Sequence, residues 1–238
     1  MFRKLFKKVF RLAWKTALWF FIVTFLWVLS YRWVDPPFTI LQLREKYGLE
    51  DSKWHSGEWK DLDDIPYELH LAVISSEDQN FLDHWGIDYG AVQKAVEYNK
   101  THDKKRGAST ISQQTAKNVF LWPNRSWLRK GLEVYFTYLI ELLWSKERIM
   151  EVYLNVIEMG EGTFGVDAAA KRFWNKRAED LSRNQCALIA ASLPTARKSN
   201  PGNPSSYLTK RKNHVLQQMK YLGKSYFQRH GKPGWPLD

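Results

Sequence analysis

The sequence is poor in cysteine. Cys186 is the single one in 238 residues, so no internal disulfide can form. A domain of this size can still rest on its hydrophobic core alone, even outside the cytoplasm. Cys186 sits in the apolar run CALIAASL, where packing is the simplest role for a thiol. Acids are also scarce, 25 against 36 Lys and Arg, for a formal charge of +11. No repeat or low-complexity tract appears, and no segment of five or more residues alternates cleanly as a strand would. Phosphate-loop spacing, G-x-x-x-x-G-K-[ST], is missing. So is the spacing of a calcium loop: counting from Asp78, the sixth residue is Asp83, and Gly86 comes too late.

What is abundant is aromatic and basic. Aromatics make up 15% of the chain, twelve of them Trp. That combination suits a membrane surface, an anionic ligand or nucleic acid. The first fifteen residues hold six Lys/Arg and no acid, and Thr16–Tyr31 then runs sixteen residues without a charge. As a helix this run spans roughly 24 Å, somewhat short of the ~30 Å hydrocarbon core. Lys15 and Arg32 can snorkel, and Trp14, Trp19, Trp27 and Trp33 suit the interfaces. No small-x-small cleavage site follows the run, which favours an uncleaved anchor over a signal peptide. The division expected is a basic cytoplasmic tail over 1–15, a transmembrane anchor over 16–33, a membrane-proximal linker over 34–60 and a catalytic domain over 61–238. The positive-inside rule places everything after Arg32 outside.

Downstream, the segments read as helices. DIPYELHLAVISSE has an acidic start, an early proline and apolar residues at helical spacing. Asp88 can cap DYGAVQKAVEYNK, Thr110 with Gln113 forms a capping box, and Ser126 can cap a long apolar helix. KERIMEVYLNVIE, DAAAKRFW, SRNQCALIAASL and YLTKRKNHVLQQMKYL follow. EMGEGTFG is expected to be a tight helix–helix turn. The fold class expected is therefore all-α.

Three stretches can carry chemistry. In SSEDQNFLDHWGID, Glu77 ends an apolar helix, where partial desolvation raises a carboxyl pKa towards the acid–base range. Phe81 and Trp85 can wall it, while His84 and Asp88 hold the turn. The plain alternative has Glu77 and Asp78 solvated at a helix end; Asp83 is expected to be solvated. In RGASTISQQTAKN, Gly107 permits a tight entry, and Ser109, Thr110, Gln113, Gln114, Lys117 and Asn118 give a polar helix start able to bind an anion. A solvated amphipathic helix fits equally. In NRSWLRKGLE, Arg125, Arg129 and Lys130 lie at a helix start, where cations oppose the macrodipole unless an anion compensates. Glu133 is spaced to pair with Arg129 and Lys130 within the helix.

Together these blocks resemble the biosynthetic peptidoglycan glycosyltransferases. EDQNFLDHWGID is similar to E-D-x-x-F-x-x-H-x-G-x-D, and GASTISQQTAKN to G-x-S-T-I-x-Q-Q-x-x-K-N. RKGLE follows R-K-x-x-E. KERIMEVYLN resembles K-x-x-I-L-E-x-Y-L-N, with Met150 where Leu is usual, and GEGTFGVDAA resembles G-x-G-x-x-G-V-x-A-A. ALIAASLP begins a fifth block, with Ala196 where a second Pro often stands. The agreement runs from about Ser75 to Pro201. No S-x-x-K occurs, so the chain resembles the monofunctional form and not the two-module penicillin-binding proteins.

The resemblance implies a lysozyme-like lobe with a smaller membrane-associated jaw, expected over roughly 89–143. It implies polymerisation of lipid II into β-1,4-linked glycan, with inversion and release of undecaprenyl diphosphate. Glu77 and Glu133 match the two essential carboxylates. Lys117, Arg125, Arg129, Lys130, Ser109, Thr110, Gln113, Gln114 and Asn118 match the groups for diphosphate and sugar. Asp78, Phe81, His84, Gly86, Asp88, Gly107, Tyr153, Asn155 and Gly165 match residues that shape the site. No cofactor is required, and Mg2+ or another divalent ion near Glu77 or Glu133 is left open as an assistant. Expected partners are lipid II, the lipid-linked glycan chain, the membrane and other cell-wall synthesis or division proteins, with no nucleic acid. The implied location is the bacterial cytoplasmic (inner) membrane. The two rival readings are a lysozyme-like lytic enzyme, with no need for the cations at 117–130, and a non-catalytic membrane scaffold.

Overall fold

A computed structural model describes residues 2–48, 54–103, 105–124, 126–223, 225–230 and 235. Its first element, α1, is a single helix over Phe2–Ser30, which begins in the basic tail and takes in most of the apolar run. It is long and apolar enough to cross a membrane. Tyr31–Val34 then turns instead of continuing the helix.

α1 does not stand free along its whole length. Thr24 and Val28 are buried, and the Thr24 hydroxyl lies 2.7 Å from the Tyr135 hydroxyl. Phe20 and Phe21 pack on Tyr135, and Trp27 packs on Phe120 and Phe136. Trp144 donates its indole N–H to the Val28 carbonyl at 2.8 Å. Arg148 donates to the Tyr31 and Val34 carbonyls and pairs with Asp35 at 2.9 Å. The second half of the apolar run is therefore covered on one side by protein.

The body is built on α3 (Tyr67–Glu77), which is buried almost all round from Leu69 to Ser75. A helix apolar on every face belongs at the centre of a core, and α9 (Arg183–Ser192) and α10 (Ser206–Leu222) pack against it and each other. α4 (Tyr89–Thr101) follows the motif-rich loop. A second group has α5 (Ile111–Phe120) against both α6 (Trp127–Leu143) and α7 (Lys146–Val156). Ser126, Ser145, Ser182 and Ser205 each open a helix by accepting a backbone N–H, satisfying donors that would otherwise be orphaned. α8 (Val166–Trp174) follows a short sheet, and α11 (Ser225–Arg229) follows α10.

That sheet corrects one expectation. EMGEGTFG is not a plain helix–helix turn but a hairpin of β2 (Glu158–Gly160) and β3 (Thr163–Phe164). Gly162 takes φ +64° in its connection, a conformation glycine adopts without strain. β1 (His55–Ser56) adds in parallel, pairing His55 with Thr163. Strands of two or three residues are too short for alternation to show in sequence. The class remains α, with this small sheet attached.

The segment between the anchor and α3 is docked on the body. It holds α2 (Ile40–Gly48), whose buried Glu45 pairs with Arg197 at 2.6 Å. Asn155 accepts from the Lys60 N–H at 2.9 Å and donates to the Lys60 carbonyl at 2.8 Å. Gly165, at φ +83°, lets the backbone pass the Asn155 carbonyl, which a Cβ would meet at 2.6 Å. Asn155 and Gly165 thus fix this segment and line a pocket of about 330 Å³ beneath it. Glu77 does not line that pocket.

Candidate active site

Glu77 is the last residue of α3, and its side chain is half-buried against α5. Gln114 donates to one carboxylate oxygen at 3.0 Å, and the Ser76 hydroxyl lies 3.2 Å from the other. Tyr153, fully buried on α7, donates to the Gln114 carbonyl at 3.3 Å. Burial keeps that phenol protonated well above its ordinary range, and the nearby charges of Glu77 and Asp78 add to this. The chain Tyr153–Gln114–Glu77 fixes the amide orientation and aims one N–H at the carboxylate. Burial nevertheless raises the Glu77 pKa above the ordinary carboxylate range. The bonds from Gln114 and Ser76 and the charge of Arg211 offset only part of this. Arg211, on α10, has no counterpart among the residues the sequence pointed to. It lies in a run of polar residues with no motif around it.

Asp78 caps α3 and is buried. Its carboxylate accepts from the Ile111 N–H at 3.0 Å and from His84 Nε2 at 2.9 Å. It therefore ties the end of α3 to the start of α5. Thr110 and Gln113 form the capping box of α5, and the Thr110 hydroxyl also donates to the Gly86 carbonyl at 2.5 Å. Both side chains are buried in these structural bonds, while Ser109 and Gly107 are exposed. Gly86 has φ +79°, and a Cβ there would meet Thr137 Cγ2 at 2.5 Å. Asp88 caps α4, accepting from the Ala91 N–H at 2.8 Å.

The aromatic neighbours divide differently from the wall the sequence suggested. Phe81 is fully buried beneath the loop, with Lys146 over its ring at 4.6 Å. Trp85 is 66% exposed. Asp83 is exposed, as expected, and also faces His230 Nε2 at 2.8 Å.

One turn beyond Gln114 lie Lys117, half-buried, and Asn118, buried. On the neighbouring α6, Glu133 is 3% exposed and held by Arg129 at 2.9 Å and by Lys130. Arg125 lies outside the described residues. Among the described residues, Arg129 Nε and Asn118 Nδ2 are buried donors with no acceptor. Orphaned buried donors are costly and point to an absent partner that accepts. No three His, Cys, Asp or Glu side chains converge among the described residues, and Glu133 is already paired with Arg129 and Lys130.

A family model described as Transglycosylase matches residues 45–220. A relative from Stutzerimonas stutzeri, named biosynthetic peptidoglycan transglycosylase, is 46% identical over 93% of each chain. One of the same name from Bacteroides thetaiotaomicron is 48% identical over 92% of this chain and 89% of its own. Another from Bdellovibrio bacteriovorus is 47% identical over 86% and 83%. With a half-buried carboxylate braced by α5, cations on the adjoining helix and matches over most of its length, this chain belongs to the transglycosylase family.

Proposed function

We propose that the chain polymerises lipid II, acting as a peptidoglycan glycosyltransferase. The observation that carries this is Glu77, a carboxylate of raised pKa held by Gln114 one turn from Lys117 and Asn118. A base works best with a pKa near the operating pH. Glu77 takes the proton from the acceptor 4-hydroxyl as that oxygen attacks the donor's anomeric carbon. The bond from that carbon to the diphosphate oxygen breaks, and the electron pair leaves with the diphosphate. Attack from the opposite face turns an α link into a β-1,4 link. Lys117, Arg129 and Lys130 meet the leaving charge, as does Arg125 in the sequence reading, in a site where charge-assisted bonds are strong. The orphaned donors of Arg129 and Asn118 suit phosphate oxygens. Glu133 holds the two cations in place. Ser109 and the second amide N–H of Gln114 can serve sugar or phosphate groups, whereas Thr110 and Gln113 support the site through the helix start.

The substrate's lipid requires work at a bilayer, and the exposed apolar side chains match. Trp85, Tyr89, Trp127, Leu128 and Leu142 are exposed around the start of α4 and along α6. These surfaces, with α1, form the membrane-facing jaw in this reading. The six cations of the tail keep the N-terminus in the cytoplasm, with the body outside the cytoplasmic membrane. The test is turnover of purified lipid II, and separately of preformed glycan, by the full chain and by Glu77→Gln. Wild-type polymer that disappears in the variant supports the reading. Cleavage of preformed glycan without polymer would replace it with the lytic one.

A further inference from the structure

The end of α10 and the residues after it, which run past the matched range 45–220, grip the loop that follows Glu77. Gln218, at the end of α10, accepts from Gln79 at 3.2 Å. The Tyr226 hydroxyl accepts from the Leu82 N–H at 3.4 Å. His230 faces Asp83 with Nε2 at 2.8 Å and the Tyr226 carbonyl with Nδ1 at 2.6 Å. Both ring nitrogens thus lie within hydrogen-bond distance of an oxygen acceptor. Trp235, 1% exposed, stacks on Phe227 at 4.9 Å between ring centres and meets the edge of Phe81 at 6.4 Å. Phe81 in turn packs on His84, which holds Asp78.

The contacts form one path: Trp235 to Phe81, Phe81 to His84, His84 to Asp78, and Asp78 beside Glu77. Close packing transmits small displacements, and a shift of about an ångström at a reacting group can cost ~100-fold in rate. Gln218 and Tyr226 fix the loop backbone on the same side. None of these residues touches the Glu77 carboxylate itself. Their geometry makes them positioning residues for the turn that carries it.

We infer that Tyr226, His230 and Trp235 act as a clasp that holds the Glu77–His84 turn in register with α5. This inference takes from the proposed function only that Glu77 is the reacting group. The test uses the full chain in detergent micelles, with amide exchange and lipid II kinetics read on the same samples. His230→Ala is expected to raise exchange at residues 79–84 by about tenfold while the amides of α3 and α9 keep their protection. Its kcat should fall by about tenfold with KM within about twofold, since alignment is lost and substrate contacts are kept. His230→Gln, which can still donate to Asp83, should recover most of both. Tyr226→Phe removes a single oxygen and should raise exchange at Leu82 selectively, even if Trp235→Leu unfolds the chain. Unchanged exchange at 79–84 in both His230→Ala and Tyr226→Phe would overturn the clasp. Loosened exchange in the two variants, beside a wild-type chain that does not polymerise lipid II, would keep the clasp and sink the proposed reaction.

Discussion

As the proposed base, Glu77 has to be ionised to take a proton, yet its surroundings favour the neutral form. Its folded pKa lies above the unfolded value because of burial. A carboxyl shifted upward lends stability fully below the unfolded pKa, and that contribution is lost as pH rises through the folded pKa. At neutral pH the charged side chain is therefore a cost to the fold. Glu77→Gln should lose polymerisation by about 100-fold or more, while its Tm at pH 7 is no lower than that of the wild type. Any gain in Tm should vanish at pH 4. The wild-type rate should fall on acidification at a pH above the usual carboxylate range, measured on lipid II with buffer ionic strength held constant. Glu133 is the opposite case, a buried charge with two partners. Glu133→Ala leaves Arg129 buried without a counter-charge. The cost expected is about 2–3 kcal/mol, less than for a fully enclosed pair because Lys130 reaches solvent. Thermal unfolding in detergent checks it.

At the scale of elements, the loop and α5 form one unit. Gly86, Thr110 and Asp78 connect the end of α3, the turn and the start of α5. Gly86→Ala should cost about 2 kcal/mol or more, since it combines positive-φ strain with a Cβ clash. Adding Thr137→Ala should recover the clash but not the strain, visible as partial return of Tm and activity. Much of this unit was legible in the sequence. The capping box of Thr110 and Gln113 and the cap at Asp88 rest on local bonds over three residues, and local patterns survive translation into structure. The pairing of Arg129 and Lys130 with Glu133 was legible for the same reason. The hairpin at Glu158–Phe164 was not, because its strands are too short to alternate, and β1 joins it from about a hundred residues earlier. Phe81 and Trp85 were read as equals, since periodicity in a turn does not say which ring faces inward. The contact of Asp83 with His230 and the approach of Arg211 to Glu77 were not legible, because His230 and Arg211 come from the C-terminal segments, whose packing no short motif records.

For the whole molecule, the anchor is part of the fold. Trp144 and Arg148 bind the carbonyls at the end of α1, and Trp27 completes an aromatic cluster with Phe120 and Phe136. Trp144→Phe keeps most of the ring and drops the bond to Val28. It should cost about 1 kcal/mol, read as a lower Tm in the full chain. Helix patterning gave the existence of α1, but not that its second half shares its surface with α6. An apolar face turned to lipid and one turned to protein look alike in composition.

The joint at Val28–Asp35 has a mechanical consequence. A catalytic body hung on a loose cord could rise and tilt as its product lengthened. Here Trp144 and Arg148 clamp the mast to the body, so the two lean and turn as one piece.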